Sequence, residues 1–181
     1  MKMLTGFMPA SSGSAHVAGF DVFESPMEVK RRIGYLPESP PVYSDLKVSE
    51  YLKFVGKLKG LRGKALKNSV DYAVSKVNLG PVFDRLIRNL SKGYKQRTGF
   101  AQALLGNPEV LILDEPTVGL DPRQIRDVRS LICELAGDHT VILSTHILQE
   151  VMATCERVII INRGGIVADD SLSNLLDAHR D

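Results

Sequence analysis

Two short apolar runs, VLILD at 110–114 and TVILS at 140–144, with a helical pattern between them, restrict the fold of this chain more than any other feature. Each run is rich in aliphatic and β-branched residues and bounded by turn signals, so each reads as a buried strand. Between them Ile125, Val128, Leu131, Ile132 and Leu135 recur at helical spacing, which predicts a helix over 123–136. Asp121 is placed to cap that helix, Pro122 suits its first position, and Gly137 suits its end. A right-handed crossover makes the two strands parallel neighbours or near neighbours, with their carboxyl ends on one edge of the sheet. Ligands of open α/β sheets bind at that edge. Asp114 and Glu115 end the first strand there, and His146 ends the second.

Other segments fit the same α/β class. A third strand at 158–161 turns at Gly164-Gly165 into 166–168, and 13–20 and 33–36 read as short strands. Before the central unit, 46–61 carries Val48, Leu52, Val55 and Leu58 on one face, and Leu66, Val70, Ala73 and Val77 mark a second amphipathic helix. These helices predict a lobe of about 50 residues inserted between sheet segments. With 181 residues and 44% hydrophobic content, the chain supports one substantial core with a smaller lobe attached.

Several function classes are excluded by composition. A net charge of +2, with bases interleaved among acids, does not by itself imply nucleic acid, so no nucleic-acid partner is assigned, and Lys30-Arg31-Arg32 reads as a solvated helix end. Cys133 and Cys155 lack metal-ligand spacing and read as packing thiols of a reducing cytosol. The apolar runs fall short of the roughly 18 residues of a membrane span, so membrane contact is expected through a partner. The first residues show no signal-peptide pattern.

The segment LSKGYKQRTGFAQALLGNPEV precedes the acidic strand. Ser91 is placed as the N-cap of a helix ending near Gly106, and Gly93 leaves its backbone N–H unobstructed. Such an N-terminus offers unpaired donors and a partial positive charge to a phosphate, and it equally describes a plain capped helix. The paired carboxylates of VLILDEP suit a nucleoside triphosphatase that holds a metal and polarises water, or else a salt-bridged pair. A phosphate loop G-x-x-x-x-G-K-[ST] would complete such a site, and no stretch of the chain fits it.

LSKGYKQR, then VLILDEP about twenty residues on, then GLD, then STH, resembles the ATP-binding subunits of ABC transporters over nearly the whole chain. Within that family the sequence is most similar to bacterial gliding-motility and multidrug-export ATPases. The resemblance implies a P-loop NTPase-like (RecA-like), mostly parallel sheet with an inserted α-helical subdomain, its phosphate loop and preceding strands missing. It divides the chain into 1–38, a partial ATP-binding core; 39–92, the helical subdomain; and 93–181, the core with signature helix, metal-binding strand and switch histidine.

Roles follow from the resemblance motif by motif. Leu90, Ser91, Lys92, Gly93 and Tyr94 match the signature segment, which contacts the γ-phosphate of ATP held by the opposite subunit; Lys92 and Tyr94 depart from the commonest glycine and glutamine. Asp114 matches the carboxylate that organises Mg²⁺, and Glu115 the general base. Asp121 matches a dimer-contacting residue, although alone it reads as an N-cap; His146 matches the switch histidine, although alone it reads as structural. Glu38 in GYLPESPP stands where a glutamine usually links Mg²⁺ and water to the membrane partner, and an ordinary exposed Glu fits as well. The implied cofactors are ATP and Mg²⁺, and the implied partners are a transmembrane permease and a second ATP-binding subunit, at the inner face of the cell membrane. MKMLTGFMPASSG resembles the helix and turn that follow a phosphate loop, so a chain beginning a few residues late is expected, as is a further small domain after 181. Three functions stay open: an exporter ATPase, a P-loop-less partner lending its signature to another subunit, and a soluble relative in translation or DNA repair.

Overall fold

The computed structural model describes residues 1–177. The chain forms two compact units, one spanning Met1–Ser144 and one beginning at Thr145.

The first unit is built on a parallel sheet of β3 (Ile33–Leu36), β4 (Val110–Asp114) and β5 (Thr140–Ser144), in that spatial order. Leu36 pairs with Leu113, and Asp114 with Ser144, so the strands end together. β4 is central and buried on both faces, which is why its sequence is continuously apolar rather than alternating. Val110 and Ile112 join one cluster with Val29 and Ile33, while Leu111 and Leu113 join the larger one with Phe100 and Leu104. Successive side chains of a strand point to opposite faces, so one run feeds two cores.

β1 (His16–Val17) and β2 (Phe20–Asp21) form a small antiparallel hairpin, so the strand expected over 13–20 is two short strands around a turn at Ala18 and Gly19. The opening residues make hydrogen-bonded turns, among them Thr5 N–H to Met1 O at 3.2 Å, instead of a regular helix. α1 (Pro26–Arg32) ends in the basic cluster, where Arg32 lies 4.1 Å over the Phe20 ring.

The helical lobe consists of α2 (Val48–Leu58), α3 (Gly63–Lys76) and single 3₁₀ turns at Gly80–Val82 and Ile87–Asn89. α2 buries Val48 and Leu52, whereas Leu58, expected on the same face, is 71% exposed. α3 buries Val70 and Ala73 as its period requires.

α4 (Lys92–Leu104) enters the core with eight buried residues. Its end lies so close to β3 that a Cβ on Gly34 would collide with the Ala103 carbonyl. α5 (Pro122–Ala136) crosses from β4 to β5 with Val128, Leu131, Ile132 and Leu135 inward. Cys133 is exposed, which corrects its reading as a packing thiol: it sits between the inward rows of α5.

The second unit contains α6 (Leu148–Thr154), an antiparallel hairpin of β6 (Arg157–Asn162) and β7 (Gly165–Ser171), and α7 (Leu172–Asp177). The hairpin turns at Arg163-Gly164, both with positive φ. Among the described residues no helix is long and apolar enough to cross a membrane.

Candidate functional site

Asp114 is the last residue of β4, and the next amide, Glu115 N–H, still donates to Ser144 O at 2.9 Å. Glu115 then takes a φ of +47°, a left-handed conformation that a non-glycine residue adopts at a cost of about 1 to 2 kcal/mol. The surroundings hold it there. The carboxamide of Gln96, a buried residue of α4, donates to Pro116 O at 2.7 Å, and Thr117 is buried beside it. Within the turn Val118 N–H donates to Glu115 O and Leu120 N–H to Thr117 O. The Asp114 carboxylate makes no hydrogen bond or ion pair among the described residues, so it is not half of a salt bridge. Burial, and then the Asp114 charge beside it, push the Tyr35 phenol upward from its ordinary value.

The N-terminus of α4 is lightly capped. The Ser91 side chain accepts the Tyr94 amide at a long 3.4 Å, and Ser91 O accepts Lys95 N–H at 3.0 Å. The first-turn amides of Lys92 and Gly93 have no acceptor within the helix, as in any α-helix. Gly93 faces the movable end of the Gln124 side chain: a Cβ there would lie 2.8 Å from Nε2, so Gln124 would have to shift. The Lys92 ammonium rests against Gly119, whose φ of +69° and missing Cβ make the room.

Asp121 closes α5. Its carboxylate accepts the amides of Arg123 and Gln124 at 3.0 and 2.9 Å, while Gln124 Oε1 accepts the Asp121 N–H at 3.4 Å. Gln124 therefore touches both Gly93 and Asp121 and joins the two helix ends. Sequence reasoning passed over it, although D-x-x-Q before an apolar period is a capping-box signal. Gln96, the other missed residue, carries no such local signal.

These links gather Ser91, Lys92, Gly93, Tyr94, Glu115 and Asp121 into one connected set, with Asp114 at its strand end. Glu38 lies two residues past β3 on the same sheet edge, exposed and without a hydrogen bond or ion pair among the described residues. His146 is exposed in the second unit, after Thr145, whose hydroxyl donates to Glu150 at 2.8 Å and accepts Ile147 N–H at 3.1 Å.

The donor set fits Mg²⁺ and a phosphate in part. No cluster of three His, Cys, Asp or Glu occurs among the described residues. Mg²⁺ at phosphate sites needs only one or two protein carboxylates, the remaining ligands being water and phosphate oxygens. Asp114, unpaired at the strand end, suits that use, and the open amides of α4 suit a phosphate.

Residues 1–118 match the ABC transporter family. The chain is 39% identical to the "Probable multidrug ABC transporter ATP-binding protein YbhF" of Escherichia coli (strain K12), over 92% of its own length and 29% of that protein's. It is 37% identical to the "Bacitracin transport ATP-binding protein BcrA" of Bacillus licheniformis, over 99% and 58%, and 31% identical to the ABC transporter ATP-binding protein NatA of Bacillus subtilis (strain 168), over 99% and 74%. It thus spans less than two thirds of YbhF and of BcrA. Among solved structures, cbiO1 from Clostridium perfringens, described as part of the ABC transporter complex cbiONQ, superposes with a TM-score of 0.86 at 25% identity, covering 97% of this chain and 72% of that one. In sequence and in fold, the chain belongs to the ABC transporter family, among its ATP-binding proteins.

Proposed function

We propose that this chain is the ATP-binding part of a bacterial ABC exporter, working as one of two ATP-binding subunits beneath a transmembrane permease at the inner face of the membrane. The observation that carries the reading is the link between the open N-terminus of α4 and the acidic end of β4, made through Gln96, Gln124 and Lys92 against Gly119. Mg-ATP, when bound, supplies the γ-phosphoryl group and the metal charge. Ser91 and the first amides of α4 orient that phosphate from the opposite subunit, with Lys92 adding a cation and Tyr94 a flank. Asp114 holds the metal, and Glu115, held off the strand direction by its left-handed backbone, takes the proton of the attacking water. Asp121 lies at the subunit contact, His146 reaches the γ-phosphate, and Glu38 couples the metal to the permease. On this reading 1–38 and 93–181 act as the nucleotide core and 39–92 as the permease-facing lobe, where Tyr43, 56% exposed and edge-on to Phe54, offers an apolar contact.

The test uses this chain fused behind the phosphate-loop segment of a relative. Glu115→Gln should keep ATP binding and slow hydrolysis by roughly 10² to 10⁴, the usual scale of a general base. Turnover at the parent rate removes Glu115 from the role. In the same fusion assembled with its permease, Tyr43→Asp should lower transport and spare the basal ATPase, whereas equal loss of both would mean misfolding.

A further inference from the structure

Lys59, the residue after α2, reaches into the body of the first unit. Its ammonium donates to Leu105 O at 2.9 Å and, more weakly, to Ile33 O at 3.4 Å and Ala103 O at 3.5 Å. No carboxylate lies within ion-pair distance of it among the described residues. A buried ammonium that has carbonyl partners and no counter-charge is an uncommon arrangement, because buried charges are normally paired. Burial accordingly pushes Lys59 down to about 8.

The same lysine borders a cavity of about 560 Å³, within the range of small-molecule sites. Lys2 and Lys30 line it too, and no acidic residue does. Neither of their ammonium groups makes a hydrogen bond or ion pair among the described residues. The nearest candidate on α1, Glu28, is held by Arg31 at 2.7 Å and Arg32 at 2.6 Å. The remaining wall is mainly carbon, from Phe7, Ile33 and Pro41, and Phe7 stands 76% exposed. Three cations around an apolar chamber ask for a ligand that is anionic at one end and apolar along its body.

We propose that this cavity binds a single-chain anionic amphiphile, an aliphatic chain ending in a carboxylate, with the anion set among Lys59, Lys30 and Lys2 and the chain against Phe7, Ile33 and Pro41. The cavity wall also includes Tyr35, which lies beside Asp114, and Pro37, which precedes Glu38, yet the proposal rests on none of the roles proposed for those acids. A free inorganic anion would use the lysines and leave the carbon wall wet. An uncharged chain would leave the Lys59 charge uncompensated.

The test titrates the 181-residue chain by calorimetry with sodium decanoate below its micellar concentration, and separately with decanol, butyrate and inorganic phosphate. Saturable one-to-one binding of decanoate is expected, at least tenfold tighter than each of the other three. Lys59→Met addresses the buried cation directly. Since its loss also strips α4 of a cap, the exposed pair Lys2→Ala/Lys30→Ala is measured beside it, and should weaken decanoate by roughly fivefold, the scale of two partly exposed charge contacts. The proposal is overturned if decanoate fails to saturate, if decanol or phosphate binds as tightly, or if the Lys2/Lys30 double variant binds decanoate like the parent.

Discussion

α4 and α5 are similar in length and lie against each other in the same core, yet they are finished in opposite ways. α5 is closed by its own sequence: Asp121 and Gln124 cap each other's backbone at the start, Pro122 occupies the first turn, and Gly137 ends it with a right-handed φ of −69°. α4 is closed by the rest of the fold. Its carboxyl end is held by Lys59, up to 46 residues away in sequence, and its middle is approached so closely by Leu36 and Pro40 that Gly99 has no room for a Cβ. Its amino end carries the long Ser91 contact, the Gln124 carboxamide over Gly93 and the Lys92 ammonium against Gly119. α4 is thus lightly capped at its start and anchored at its middle and its end.

The largest effect that could break this contrast concerns the Lys59 anchor. Its folded value lies below the ordinary lysine value, about 8 against 10.5, so between those pH values the unfolded chain binds a proton that the native chain does not. The desolvation cost is fully present below pH 8 and is relieved as pH rises through that window. The unfolding free energy, taken relative to Lys59→Met so that other groups cancel, should therefore rise by up to roughly 3 kcal/mol from pH 7 to 10.5. Urea unfolding of both proteins at four pH values checks this, and a flat or falling difference would mean that Lys59 is well solvated.

A smaller effect is expected at the junction of the two helices. Gly93→Val should cost about 1 to 3 kcal/mol, because its side chain enters the space of Gln124. Gln124→Gly should recover much of that loss when combined with it. Additive losses in the double variant would show that the two residues do not meet.

The cap comparison gives the smallest effects. Asp121→Ala should lower stability by about 1 kcal/mol, since it removes an acceptor bonded to two amides. Ser91→Ala should cost a few tenths of that, its cap being long and neutral. Equal losses measured by denaturant midpoints would mean that the α4 terminus is as firmly closed as that of α5.

The same contrast explains what could be read from the sequence. The caps of α5, the Ser91 start of α4 and the apolar run of β4 are local signals, and each is found where its residues place it. Gln96 and Lys59 act across 20 to 46 residues, and nothing in their own neighbourhoods announces it. Strand burial is likewise not local: Leu111–Leu113 in β4, with a parallel neighbour on each side, are fully buried. Ile159, Ile160 and Ile161 in β6, paired only with β7, are 52%, 46% and 66% exposed. At the candidate site the residue types were legible as motifs, while the left-handed turn at Glu115 and the Gln124 bridge emerge only from the fold.

The central proposal, that the open end of α4 serves a nucleotide held by another subunit, is tested most directly by complementation. The 181-residue chain, first shown to be folded and dimerising by circular dichroism and sizing, is mixed with the loop-bearing fusion of itself carrying Ser91→Ala. ATP hydrolysis should appear only in the mixture, vanish when Ser91 of the short chain is also changed to Ala, and persist when Glu115 of the short chain is changed to Gln. A folded, dimerising mixture that hydrolyses no ATP, or one that loses its activity with Glu115→Gln in the short chain, would contradict it.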